Sequence, residues 1–161
     1  WFRKQKRKLA SSIMKKYEAM VLSCMDPRFQ PKVYKYLKEK KLTGKYSAFT
    51  IARGAIGVTH KKFKKWHSTF IDNLSTSIKL HKIKKIIVIN HKDCGAAKIV
   101  NSKKKFNSII ENKIHRESFK KIKKILNNRF PAMKINFKIL SLKDWFRIFL
   151  PIILVMFTIF N

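Results

Sequence analysis

Ile86-Ile87-Val88-Ile89-Asn90-His91-Lys92-Asp93-Cys94-Gly95 is the stretch on which the fold turns. Its first four residues are apolar and β-branched without alternation, the pattern of a strand covered on both faces, as in a parallel sheet flanked by helices. A parallel strand needs a long crossover before it, and the preceding chain supplies one. From Trp66 to Leu80, apolar residues recur at Trp66, Phe70, Ile71, Leu74 and Ile78, the rhythm of an amphipathic helix. Further upstream come a basic linker at Thr59–Lys65, the turn Arg53-Gly54-Ala55-Ile56-Gly57 and a strand at Tyr46–Ala52 rich in aromatic and β-branched residues. A helix over Lys32–Lys41 carries Val33, Tyr36 and Leu37 on one side, with Gly44 as its terminator. Before it, Ala19-Met20-Val21-Leu22-Ser23 is a short buried strand that ends at Cys24, because Pro27 forbids its continuation.

Downstream of Gly95, helices are expected over Ala96–Ser102 and Ser108–Leu126, and a last strand over Ile135–Leu140 beyond Pro131. Strands alternating with helices in this way predict an α/β domain with a mainly parallel β-sheet. We expect one domain over residues 1–144, followed by an apolar C-terminal tail, 145–161. Ile148 to Phe160 is apolar except for Thr158, but its 13 residues fall short of the ~20 that span a bilayer. A helix packed on a partner subunit, a short interfacial segment and an aberrant reading-frame extension all compete with a membrane anchor for the tail.

The chain has 161 residues with 39 Lys+Arg against 8 Asp+Glu, a formal net charge of +31. With 45% apolar residues arranged in strand- and helix-length blocks, disordered and collagen-like classes are excluded. The excess charge is mostly Lys, spread from Lys4 to Lys143, alongside abundant Ile, Asn and Phe. AT-rich codon usage accounts for that composition as well as nucleic-acid binding does, and a phosphate-reading surface favours Arg for its bidentate contacts. Specific nucleic-acid binding is therefore not expected, although salt-sensitive association with polyanions follows from charge alone. Trp1 to Lys16 is basic and lacks the apolar core of a secretory signal, so Cys24 and Cys94 are expected as free thiols in a reducing, cytoplasmic setting.

Both cysteines follow predicted strands, and open parallel sheets bind ligands beyond the carboxyl ends of their strands. Cys24, His91 and Cys94 then form a soft three-ligand set suited to zinc, with a fourth tetrahedral position to spare. A helix beginning at Cys94 would favour its thiolate through the helix dipole. Packing alone also buries Cys and His residues in this way. Against that reading, two of only 8 acidic residues, Asp26 and Asp93, lie inside the two Cys motifs, and Arg28 sits beside Asp26. His60, His67, His81 and His115 lie among lysines without ligand spacing and are expected at the surface.

Cys24-Met25-Asp26-Pro27-Arg28 resembles the Cys-x-Asp-Ser-Arg motif of the β-class carbonic anhydrases, and His91-Lys92-Asp93-Cys94-Gly95 resembles their His-x-x-Cys-Gly motif. Ile51-Ala52-Arg53-Gly54-Ala55 stands where that family has Arg-Asn-Ala, and the likeness is to the compact branch of the family. It covers Val21 to Val100, with looser agreement through Leu140, and departs at Pro27 for Ser and Gly54 for Asn. The resemblance implies Zn2+ held by Cys24, His91 and Cys94, with Asp26 and Arg28 as catalytic residues. It further implies reversible hydration of CO2 to bicarbonate by zinc-bound hydroxide, in a lyase that forms a homodimer or higher homo-oligomer. In such an enzyme Asp26 accepts a hydrogen bond from the nucleophile while Arg28 holds it, or swings onto zinc in an inactive form. Trp66, Phe70 and the tail are candidates for the subunit interface, with core packing an equal alternative. Two other functions stay open at this point: a non-catalytic zinc domain closed by Asp26, and a basic protein that binds polyanions or membrane surfaces.

Overall fold

A computed structural model describes residues 17–101 and 105–142, together with Phe2 and Gln5; the tail 145–161 lies outside these residues. The described chain contains four strands, β1 (Ala19–Cys24), β2 (Tyr46–Ile51), β3 (Lys85–His91) and β4 (Lys134–Leu140), joined in one sheet of order β2-β1-β3-β4. Every pairing is parallel. The helices are α1 (Gln30–Glu39), the short α2 (Gly54–Gly57), α3 (His67–His81), α4 (Gly95–Val100) and α5 (Ser108–Arg129). Fold class and strand assignments therefore agree with expectation.

The continuous apolar runs have the cause inferred for them. All six residues of β1 are buried, and so are Ile86 to His91 of β3. Alternate side chains serve opposite faces. Met20, Leu22, Ile86 and Val88 pack with Phe70 and Leu74 of α3 and with Ile122 and Leu126 of α5. Ala19, Val21, Ile87 and Ile89 pack with Val33 and Leu37 of α1 and with Phe29. From β1 the chain steps to β2 on one side, then crosses back over β1 to reach β3 on the other. Crossovers of one hand then place α1 on one face and α3 and α5 on the opposite face. The reversal makes the gap between the carboxyl ends of β1 and β3 a topological switch point, where open sheets of this kind carry their ligands.

Several local expectations are corrected. The segment Thr59–Lys65 is not a plain linker: Lys61–Trp66 winds as a 3-10 helix whose first turn is capped by the His60 ring. Capping by an imidazole is an uncommon device, which a search for Ser, Thr, Asp or Asn passes over. Helix α1 ends at Glu39, and two left-handed residues follow it, Lys41 at φ 57° and Gly44 at φ 70°. Phe70 is 1% exposed within a single chain, so it is core and not interface; Trp66, half-buried, stacks on Phe63 at 5.3 Å.

The clearest correction concerns His115, which is fully buried, whereas His60, His67 and His81 are half-buried. On α5 the inward residues are Glu111, His115, Ser118, Ile122 and Leu126. Their spacing of three or four is that of one helix face, but its first half is polar and escapes a search for apolar periodicity. Burial holds the His115 imidazole below its ordinary pKa, since a charge there would lose its hydration.

Leu74, without exposed surface, meets the sheet in the larger core cluster. Leu74→Ala is expected to lower stability by about 2–5 kcal/mol through lost transfer energy plus an unfilled cavity. Urea unfolding followed by far-UV circular dichroism measures it, with an unchanged m-value showing that the fold itself is retained.

Candidate metal centre

Strand β1 delivers Cys24 as its last residue, and strand β3 delivers His91 as its last residue. Three residues later Cys94 caps the N-terminus of α4 in extended geometry. The turn between them is made by Asp93 at φ 55°, a left-handed conformation that Asp tolerates better than most residues. Beyond β2 a second left-handed residue, Arg53 at φ 77°, directs its backbone N–H to Cys24 Sγ at 3.3 Å. Gly54 follows at φ 49°; a Cβ there would lie 3.1 Å from Asn90 Oδ1 and 3.3 Å from the Cys24 nitrogen. This close approach is what the turn requires of position 54.

The two thiols and the imidazole are buried, and one ligand atom from each lies within 4.8 Å of the others. A tetrahedral zinc with bonds of ~2.0–2.3 Å needs ligand atoms roughly 3.3–3.8 Å apart, so closure takes shifts on the order of 1 Å. The imidazole is oriented for such a role. His91 Nδ1 lies 2.9 Å from the Lys92 carbonyl oxygen, which can only accept, so Nδ1 carries the proton and Nε2 a free lone pair. Nε2 is buried without a hydrogen-bond partner. The ring is held flat against Phe29, centroids 4.0 Å apart. A buried, unpartnered lone pair beside two thiols fits a soft or borderline dication, and backbone orientation of the other ring nitrogen is the usual support of a His ligand.

The two thiols shift one another in opposite directions. The Cys24 thiol is held well below its ordinary pKa, chiefly by the neighbouring Cys94 thiol, with the backbone N–H groups of Asp26 and Arg53 adding to this against the cost of burial. Cys94 is correspondingly raised by the Cys24 thiol and by burial. A dication bound by the three side chains would displace the thiol protons, since the metal ligand is the thiolate.

Above this cluster Arg28 grips Asp26 with two parallel bonds, Nε to Oδ1 at 3.1 Å and Nη2 to Oδ2 at 2.7 Å. Its Nη1 also donates to Asp93 Oδ2 at 2.9 Å, tying the first Cys motif to the second. Lys98 Nζ completes the set on Asp93 at 3.1 Å. Arg28 holds the Asp26 carboxyl below the usual carboxylate range, and Arg28 followed by Lys98 does the same for Asp93. The five residues singled out from sequence, Cys24, Asp26, Arg28, His91 and Cys94, therefore come together at one end of the sheet.

Sequence reasoning missed the groups beneath them. Gln30 Nε2 donates to the Cys24 carbonyl at 2.7 Å, and Glu111 Oε1 accepts the Cys94 N–H at 3.0 Å. Asn90 Oδ1 accepts from Ala55 N–H at 3.2 Å, while its Nδ2 donates to His115 Nδ1 at 3.0 Å and to Ser118 Oγ at 3.2 Å. The only sequence signal for Glu111 and His115 is their phase on α5, four residues apart on the inward face.

The family model described as "Putative carbonic anhydrase" matches residues 14–135. An uncharacterized protein of Rickettsia bellii is 26% identical over 117 residues, 72% of this chain and 71% of that protein. A second, from Rickettsia conorii, is 26% identical over the same length, 72% of this chain and 63% of that protein. Among solved structures, the β-carbonic anhydrase CafA of the fungal pathogen Aspergillus fumigatus superposes with a TM-score of 0.48 at 11% identity, covering 88% of this chain and 79% of its own. A mutant of the β-carbonic anhydrase CafD from the same fungus gives 0.40 at 10% identity, with coverage of 78% and 83%.

Removing the guanidinium in Arg28→Ala is expected to let the Asp26 pKa rise toward its ordinary value, since Arg28 is the main cause of its depression. Carboxyl-carbon NMR titration reads this directly. A midpoint that moves up in the variant is the expected sign, and an unmoved midpoint would place the cause elsewhere.

Proposed function

Because the chain belongs to the putative carbonic anhydrase family, we propose that it is a zinc enzyme catalysing the reversible hydration of CO2 to bicarbonate. The observation that carries this reading is the convergence of Cys24, His91 and Cys94 within 4.8 Å, with His91 Nε2 buried and unpartnered. In this reading those three side chains hold the ion, leaving a fourth tetrahedral position for the reacting water. Zinc held by these side chains would supply the Lewis acidity that lowers the pKa of water toward neutrality.

The chain's own groups then have definite tasks. Asp26, kept ionised by Arg28, can only accept, so it orients the attacking water through that water's proton and leaves an oxygen lone pair toward the carbon of CO2. Arg28 fixes the carboxylate from two directions and is itself braced by Asp93. Two thiolates would donate more charge to a dication than imidazoles do and leave it a weaker Lewis acid, so the orienting contact of Asp26 would matter the more. The bidentate grip of Arg28 on both Asp26 oxygens favours an Asp26 that stays off the metal over one that closes its shell. A homodimer or higher homo-oligomer in the cytoplasm goes with this reading through the resemblance of the two Cys motifs. Among the described residues no helix is long and apolar enough to cross a membrane.

Protein purified under reducing conditions is expected to carry one zinc per chain by elemental analysis, and Cys94→Ser to lose it; a metal-free wild type would end the proposal. In stopped-flow CO2 hydration at mildly alkaline pH, Asp26→Ala should keep its zinc and lose turnover by roughly 10²-fold or more. Full activity in that variant would remove Asp26 from the mechanism.

A further inference from the structure

We propose that Glu111 is a positioning residue for the metal centre: by accepting the Cys94 N–H from behind, it fixes the direction in which the Cys94 sulfur meets the ion. The inference rests on the metal-binding reading above and adds a residue that the two Cys motifs do not contain.

The Cys94 N–H is a donor with nowhere else to go. Asp93 turns the chain sharply at φ 55°, and Cys94 then caps α4 from outside its hydrogen-bonded ladder. Its N–H therefore points into the interior, where Cys94 is 3% exposed and water has little access. Glu111 Oε1 meets it at 3.0 Å, and Glu111 is itself only 6% exposed. A hydroxyl or amide oxygen would satisfy that donor at lower desolvation cost; a carboxylate makes the stronger, shorter-range constraint.

His115, one turn further along α5, lies beside the carboxylate. His115 Nδ1 takes a hydrogen bond from Asn90 Nδ2 at 3.0 Å, so the ring proton sits on Nε2, which faces Glu111 Oε1 at 3.7 Å. Asn90 immediately precedes His91, and through Oδ1 it also anchors the Ala55 N–H beside the turn that directs Arg53 N–H at Cys24. Asn90, His115 and Glu111 thus lie in one buried row that meets the Cys94 N–H at one end and the Ala55 N–H, two residues beyond Arg53, at the other. Its negative end lies behind Cys94.

The test is reconstitution of the full chain with Co2+ as a spectroscopic probe and Zn2+ by competition, in wild type, Glu111→Leu and Glu111→Gln. In Glu111→Leu we expect the zinc dissociation constant to rise about 10- to 100-fold and the thiolate-to-cobalt charge-transfer band to shift. Glu111→Gln keeps an acceptor oxygen and should return both close to wild type. A purely structural role would lower the unfolding midpoint without moving the band of the folded fraction, so Glu111→Leu that folds with an unchanged band and affinity overturns the proposal. Should Glu111→Leu fail to fold, the smaller Glu111→Ala, which also removes the acceptor, is read the same way: a shifted band supports the proposal and an unshifted one overturns it. Failure of the wild type to bind either ion would bring down the metal-binding reading as well, whereas an insensitive variant of a metal-binding wild type removes only Glu111.

Discussion

Parallel pairing of β1 with β3 is the constraint on which the molecule depends. It runs from Ala19 opposite Lys85 to Ser23 opposite Ile89, at the centre of the sheet. The register puts Cys24 opposite the residue before His91, so both emerge at the carboxyl end of the sheet and one short turn returns Cys94 to them. Helices on both faces keep that pair dry, and dryness is what gives a buried thiolate, an unpartnered imidazole nitrogen and a carboxylate their leverage on one another.

Electrostatics at the site run against the rest of the surface. The chain carries +31 overall, yet Asp26 and Asp93 sit at the mouth and Glu111 lies beneath. Arg28 converts the two mouth carboxylates from a repulsive pair into a braced arch, and Lys98 closes its outer end. The arch joins residues from the first and second Cys motifs, so the arrangement of one is felt by the other.

The order of strands and helices was legible because apolar runs of strand length and one strongly amphipathic helix punctuate the chain. The Cys-His-Cys cluster was legible because Cys24, His91 and Cys94 each end or follow a strand, where position in an α/β sheet carries meaning. Even Gly54 in place of Asn is like for like, since φ 49° lies in the left-handed region that both residues enter most readily. What escaped was polar and interior. His115 sits among lysines in the sequence, and only the helical phase that aligns it with Ile122 and Leu126 reveals its burial. Gln30 and Glu111 act on backbone atoms of the cysteines, a contact that residue spacing does not encode.

The buried central strand has a consequence for biosynthesis. β1 emerges early from the ribosome with all six residues destined for the interior, but its inner neighbour is not translated until α1, β2 and α3 have been made. During that interval a short, sticky segment waits for a partner distant along the chain, and such long-range closure is slow. Newly made molecules are therefore most vulnerable to aggregation before His91 leaves the exit tunnel, and a nascent chain stalled there would be a natural client for a chaperone.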